Sequence, residues 1–124
     1  MSNRILVIED NEDNRQIIRD LLNSLGYELI EAVDGEQGVA MAQSHRPDLI
    51  LMDIQLPEMD GYEATRRIRA VPELKAVPVI AVTSYALSGD EAKARDAGCD
   101  GYVAKPFSPR ELLAKIREFL ADAG

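Results

Sequence analysis

The sequence predicts an α/β protein built from five βα units: a five-stranded parallel sheet of order 2-1-3-4-5 with helices on both faces. Three observations carry that prediction. Apolar runs of strand length alternate with stretches of helical length, the pattern of repeated βα units around a parallel sheet. Three of the runs, Ile5-Leu6-Val7-Ile8, Leu49-Ile50-Leu51-Met52 and Val79-Ile80-Ala81-Val82, are continuously aliphatic, as strands covered on both faces must be. The other two, 27–32 and 101–104, are more polar or shorter and suit the edges. Right-handed crossovers then put the second strand on one side of the first, and the third, fourth and fifth on the other.

Each element has its own local support. The first strand runs into Glu9-Asp10, and residues 12–25 form the first helix, with Ile17, Ile18, Leu21, Leu22 and Leu25 as an apolar stripe and Gly26 placed to end it. Four later helices open on a cap signal: Asp34 three residues before Gln37, Asp60 before Glu63, Ser88 before Glu91, and Ser108 before Glu111 with Pro109 at the first helical position. The fourth helix, about residues 89–97, offers only Ala92, Ala94 and Ala97 as apolar residues. It buries little and is expected to be loosely held, as an element with two arrangements close in energy would be.

A chain of 124 residues is one domain, 1–124, large enough to bury roughly two-thirds of its unfolded surface, with no length left for a second domain. The formal net charge of −8 opposes the electrostatic attraction on which nucleic-acid binding depends, so direct nucleic-acid binding is not expected and the charge reads as a solubility feature. Cys99 is the single cysteine and reads as a small packing residue in a reducing compartment. The four apolar residues before Glu9 are too few for a signal-peptide core or a membrane span, and a soluble cytoplasmic protein is expected. His45, the single histidine, precedes Arg46-Pro47 and reads as a loop residue.

The predicted sheet order brings chemistry to one edge. Glu9 and Asp10 follow the first strand, Asp53 the third, Thr83 the fourth and Lys105 the fifth, so all five residues meet outside the carboxyl ends of the strands. Taken singly, Asp10 could cap the first helix with help from Asn11, Thr83 could be strand filling and Lys105 a surface lysine. Together, three carboxylates need a compensating cation, and an oxygen-only donor set without His or Cys suits Mg²⁺ with a phosphate. Asp53 is the carboxylate on a central strand, placed as a nucleophile that would form an aspartyl phosphate. Thr83 can donate to a phosphoryl oxygen, and Lys105 can neutralise its charge from a Lys-Pro loop that can include a cis bond.

These residues resemble the receiver domain of two-component response regulators, the CheY-like family with its flavodoxin-like fold. The resemblance rests on Val7-Ile8-Glu9-Asp10-Asn11, Leu51-Met52-Asp53-Ile54, Pro57-Glu58-Met59-Asp60-Gly61, Val82-Thr83-Ser84 and Lys105-Pro106, in that order and spacing. It implies a phosphorelay module, not a turnover enzyme: a histidine kinase or histidine phosphotransfer protein donates phosphate to Asp53, and the change of state alters affinity for a downstream protein. It also implies that the Gln55 carbonyl is a metal ligand beside Glu9, Asp10 and Asp53, and that Thr83 and Tyr102 act as the switch. The first helix, and the face of the fourth helix, fifth strand and fifth helix, are the implied contact surfaces. Gln55 and Tyr85 occupy positions that govern water access to the phosphoryl group, and a bulky Tyr85 points to a shielded one. The run as a whole is similar to stand-alone DivK-like regulators and to receiver domains of hybrid kinases.

Two other classes share part of the pattern. An aspartate-nucleophile, Mg²⁺-dependent phosphohydrolase of the haloacid dehalogenase type also uses Asp, Thr or Ser, and Lys, but needs an acidic residue two positions after its nucleophile, where this chain has Gln55. A flavin mononucleotide binder of flavodoxin type needs a Ser/Thr-rich first loop, whereas Glu9-Asp10-Asn11-Glu12-Asp13 would repel phosphate.

Overall fold

The structure, a computed structural model, describes residues 3–83 and 90–120. Strand and helix alternate as the hydrophobic pattern requires: β1 (Arg4–Ile8), α1 (Glu12–Ser24), β2 (Glu28–Ala32), α2 (Gly35–His45), β3 (Leu49–Asp53), α3 (Gly61–Arg69), a 3₁₀ turn (Pro72–Leu74), β4 (Val79–Thr83), α4 (Asp90–Ala97), β5 (Gly101–Ala104) and α5 (Pro109–Arg117). The 3₁₀ turn carried no signal in the sequence reading.

The helices begin where side chains can satisfy the first free N–H groups. Asp34 accepts from the Gln37 N–H at 2.7 Å, Asp60 from Glu63 at 2.9 Å and Ser108 from Glu111 at 3.1 Å, each contact contributing about 1 kcal/mol. The proposed Ser88 cap and Tyr85 lie outside the described residues. In α1 the cap is Asn11, whose Oδ1 accepts from the Asn14 N–H at 2.9 Å, which leaves Asp10 outside the capping role. Gly26, at φ 84, ends α1 through paired bonds from its own N–H to Asn23 O (3.2 Å) and from Tyr27 N–H to Leu22 O (3.2 Å). That closure takes Tyr27 into the helix exit, so β2 starts one residue later than the alternating pattern suggested.

All strand pairs are parallel, and the order is β2-β1-β3-β4-β5, as predicted. Period-two alternation sends Leu6, Ile8, Ile50, Met52, Val79 and Ala81 into a core with Ala42 of α2, Ala64 and Ile68 of α3 and Ala94 of α4. Ile5, Val7, Leu49, Leu51 and Ile80 turn the other way, against Ile18 and Leu22 of α1 and Leu112 and Ile116 of α5. Each fully buried aliphatic side chain contributes roughly 1.5 to 3 kcal/mol, which fixes the register of the central strands. Within the α1 stripe, Ile17 departs from expectation: it is 54 % exposed, because the sheet-facing arc is filled by Ile18 and Leu22.

Helix α4 buries Ala94 and Ala97 and leaves Ala92 exposed, so its hold on the sheet is as slight as its sequence implied. Its exit is tied down by Arg69, which donates to the carbonyls of Gly98 (2.9 Å), Leu74 (3.1 Å), Lys75 (3.1 Å) and Val77 (2.6 Å) and to Asp100 Oδ2 (2.5 Å). Cys99 is buried with its sulfur 3.7 Å from Thr65 Oγ1, and burial pushes its thiol above the ordinary range, in keeping with a packing role. His45 is the last residue of α2, not a loop residue, with Nδ1 3.0 Å from Ser44 Oγ. Among the described residues no helix is long and apolar enough to cross a membrane.

The β3–α3 connection contains a tight turn in which the Met59 N–H donates to Pro57 O at 2.7 Å across Glu58, whose φ is 65°. A side chain in that half of φ space costs about 1 kcal/mol or more, and glycine avoids the cost. Glu58→Gly is therefore expected to raise stability by roughly 0.5 kcal/mol in urea denaturation, net of glycine's greater unfolded-state freedom; a loss of stability would contradict this reading of the turn.

Candidate functional site

The register of the sheet builds the site. Ile8 pairs with Met52, so the next residues, Glu9 and Asp53, emerge side by side from β1 and β3. Glu9 is held in the strand path because its N–H continues the ladder to Ala32 O at 3.0 Å. Asp53 pairs with Val82, and Thr83 with Ala104, which brings Lys105 to the same edge. Lys105 N–H donates to Thr83 O at 2.7 Å, and the Lys105-Pro106 peptide is cis, the form the Lys-Pro sequence allowed.

Glu9 and Asp53 are each only 3 % exposed, while Asp10 stands in solvent. Carboxylate oxygens of all three lie within 4.8 Å of one another. Lys105 Nζ spans the buried pair, 2.9 Å from Glu9 Oε1 and 3.4 Å from Asp53 Oδ2. Burial alone would lower the Lys105 pKa, but the hydrogen bond with Glu9 and the charge of Asp53 outweigh it and hold the ammonium above its ordinary range. Among the described residues, one ammonium against three carboxylates leaves an excess of negative charge on an oxygen-only donor set, which fits a hard divalent ion.

The remaining polar groups fix these side chains in place. Glu9 also accepts from Asn11 N–H at 3.2 Å and from Asn14 Nδ2 at 3.4 Å, and Asp53 Oδ1 accepts from Gln55 N–H at 3.1 Å. Gln55 Nε2 donates to Thr83 Oγ1 at 2.5 Å, so the side chain of Gln55 engages the hydroxyl of a fully buried threonine. Gly61 lets the start of α3 press against the end of β3: its N–H donates to Ile54 O at 3.0 Å, and a Cβ there would lie 2.4 Å from the Asp53 carbonyl oxygen.

The structure thus brings together Glu9, Asp10, Asp53, Gln55, Thr83 and Lys105. Tyr102 is elsewhere, paired with Ala81 inside β5 and half-buried against the core shared with α3 and α4. Sequence reasoning missed Asn14 and Arg15. Asn14 had a readable signal, since it stands on α1 five residues after Glu9, within one turn of the Asn11 cap. Arg15 had none, because its partner at the site is a backbone carbonyl, that of Glu9.

Comparison with known proteins bears on the family and the fold. The chain is 45 % identical over 123 residues to the polar-differentiation response regulator DivK of Brucella anthropi, covering 99 % of this chain and all of that one. It superposes on the receiver domain of the sensor histidine kinase PA1611 from Pseudomonas aeruginosa, which has a magnesium ion coordinated in its active site cleft, with a TM-score of 0.89, 44 % identity and coverage of 96 % and 98 % of the two chains. Vibrio cholerae chemotaxis protein CheY4 aligns with a TM-score of 0.92 at 29 % identity, over 97 % of this chain and 100 % of that one. The sequence profile of the response regulator receiver domain matches residues 5–117, and with these likenesses the chain belongs to the receiver domain family of two-component signalling regulators.

Proposed function

We propose that the whole chain is a single receiver unit that accepts a phosphoryl group on Asp53 from the phosphohistidine of a histidine kinase or histidine phosphotransfer protein, and passes the change of state to a downstream protein. The observation that carries this reading is Lys105 reaching both buried carboxylates, Glu9 and Asp53, with the Asp10 carboxylate within the same 4.8 Å cluster. A carboxylate oxygen of Asp53 attacks phosphorus as the P–N bond to the donor imidazole breaks; the electron pair stays on nitrogen, which takes a proton from solvent. Glu9, Asp10, Asp53 and the Gln55 carbonyl would hold Mg²⁺, which supplies charge neutralisation between carboxylates and phosphoryl oxygens when bound. Lys105 neutralises the incoming charge, and the Thr83 hydroxyl donates to a phosphoryl oxygen.

The donor is expected to approach over α1, where exposed Ile17 shares a recess with Asn14, Pro106 and Phe107 directly beside Lys105. On the far side, Thr83 and Tyr102 relay the new state to the weakly buried α4. The test is intact mass after incubation with Mg²⁺ and a small acyl phosphate. The parent gains one phosphoryl group; Asp53→Asn, or the parent in excess chelator, gains none. Equal uptake by Asp53→Asn would remove the assignment, and sustained release of inorganic phosphate from small phosphate esters would point to a hydrolase.

A further inference from the structure

We propose that Arg15 is a positioning residue for the acidic pair, setting the orientation of the Glu9-Asp10 peptide from behind; the proposal rests on the reading of those carboxylates as metal ligands. Arg15 lies in the first turns of α1 with its side chain only 11 % exposed. Its Nη1 donates to Glu9 O at 2.7 Å, Nε faces Glu31 Oε1 of β2 at 3.4 Å, and Nη2 pairs with Glu12. One planar fork therefore braces the acidic loop against both the helix and the edge strand, a geometry that suits guanidinium and not ammonium. Arg19 strengthens the anchor by a bidentate pair with Glu31 at 2.7 Å to each oxygen.

The consequence follows from peptide planarity. Glu9 N–H is already fixed by Ala32 O at 3.0 Å, and once Arg15 fixes Glu9 O, the plane that contains the Asp10 nitrogen and Cα is fixed too. Glu9 itself has further restraints on its carboxylate from Asn11, Asn14 and Lys105. Asp10 is the exposed member of the cluster, so its direction depends most on that peptide plane. Arg15 touches no carboxylate of the cluster in its contacts; it acts on one of them through the backbone.

Electrostatics and positioning predict opposite signs, which makes the proposal testable. Removing a nearby cation should, on charge alone, tighten Mg²⁺ binding, and exchanging Arg for Lys should leave it unchanged. Loss of positioning should weaken it in both cases, by about ten-fold for Arg15→Met, the lower end of the range for residues that orient metal ligands. The experiment is calorimetric titration of Mg²⁺ into the full chain, parent against Arg15→Met and Arg15→Lys. The Asp10 amide resonance and urea unfolding in chelator are recorded alongside.

Weaker Mg²⁺ binding by Arg15→Lys, together with a displaced Asp10 amide, is the expected result. Arg15→Met should be weaker still, if it folds. Unchanged or tighter Mg²⁺ binding by a folded variant, with or without a loss of unfolding stability, would overturn the proposal alone. A parent that binds no Mg²⁺ would overturn the metal reading and this proposal with it.

Discussion

Lys105→Met is expected to lower stability by about 3 kcal/mol at neutral pH in the absence of divalent ions. The reason is local. Glu9 and Asp53 are both 3 % exposed, and Lys105 Nζ is the cation within reach of both, at 2.9 and 3.4 Å. Removing one partner of a buried ion pair leaves uncompensated charge behind, and here it leaves two like charges facing each other. The Lys105 side chain keeps 16 % exposure, which places the effect at the lower end of the range for breaking buried pairs. Added Mg²⁺ should recover part of the loss, because a divalent ion can take over the neutralisation. Asp53→Asn should move stability the other way by removing one member of the crowded set.

The pH dependence has a definite sign. The folded Lys105 pKa lies above its ordinary value of 10.5, so the protonated ammonium stabilises the folded state. That contribution is fully present below about pH 10.5 and is lost as pH rises through the higher folded value. Urea denaturation of parent and Lys105→Met in chelator should therefore show a full gap at neutral pH that closes only above that point. A variant as stable as the parent at neutral pH would contradict the electrostatic account of the site.

Gly61→Ala is expected to be among the most damaging single-methyl changes, costing about 3 kcal/mol and slowing phosphoryl uptake. A Cβ at this position would sit 2.4 Å from the Asp53 carbonyl oxygen and 2.7 Å from the Ile54 Cα. Both are backbone atoms at the end of a central strand, so relief requires moving β3 and Asp53 with it. Gly101 provides the control: the nearest atoms to a Cβ there would be Phe119 Cε2 at 3.2 Å and Lys115 Cδ at 3.3 Å, far ends of side chains that can give by a few tenths of an ångström. Gly101→Ala should cost clearly less and leave phosphoryl uptake near that of the parent. Equal stability of Gly61→Ala and parent in urea denaturation would show that β3 and α3 are less tightly coupled than the contact implies.

Much of this architecture was legible in the sequence, for reasons that differ between elements. The central strands were readable because parallel strands covered on both faces must be aliphatic throughout, as 5–8, 49–52 and 79–82 are. Helix starts were readable because capping is a local interaction, and Asp34, Asp60 and Ser108 make the predicted bonds. Glu9, Asp10, Asp53, Thr83 and Lys105 were readable because strand order alone brings their chain positions together.

What stayed hidden depends on partners far apart in sequence or on the backbone itself. Arg69 bonds to four carbonyls in loops that have no sequence signature, and Arg15 meets the site through the carbonyl of Glu9. The bond from Gln55 to Thr83 joins residues 28 apart in the chain, and the resemblance, which implied a metal-ligating carbonyl and a position governing water access for Gln55, carried no sign of it. Ile17 carried the right spacing for the α1 stripe and still faces solvent, because spacing defines an arc and packing decides how much of it the sheet covers. Glu58 at φ 65 is a turn residue whose conformation its side-chain type does not announce.

The central claim is that Asp53, and no other carboxylate of the cluster, becomes the acyl phosphate. Its most direct test is to treat the parent with Mg²⁺ and a small acyl phosphate, reduce the product with borohydride, and locate the resulting homoserine by peptide sequencing in a mass spectrometer. Homoserine is expected at position 53 alone; homoserine at position 10, hydroxynorvaline (the reduction product of a glutamyl phosphate) at position 9, or no reduced residue at any of the three, would contradict it.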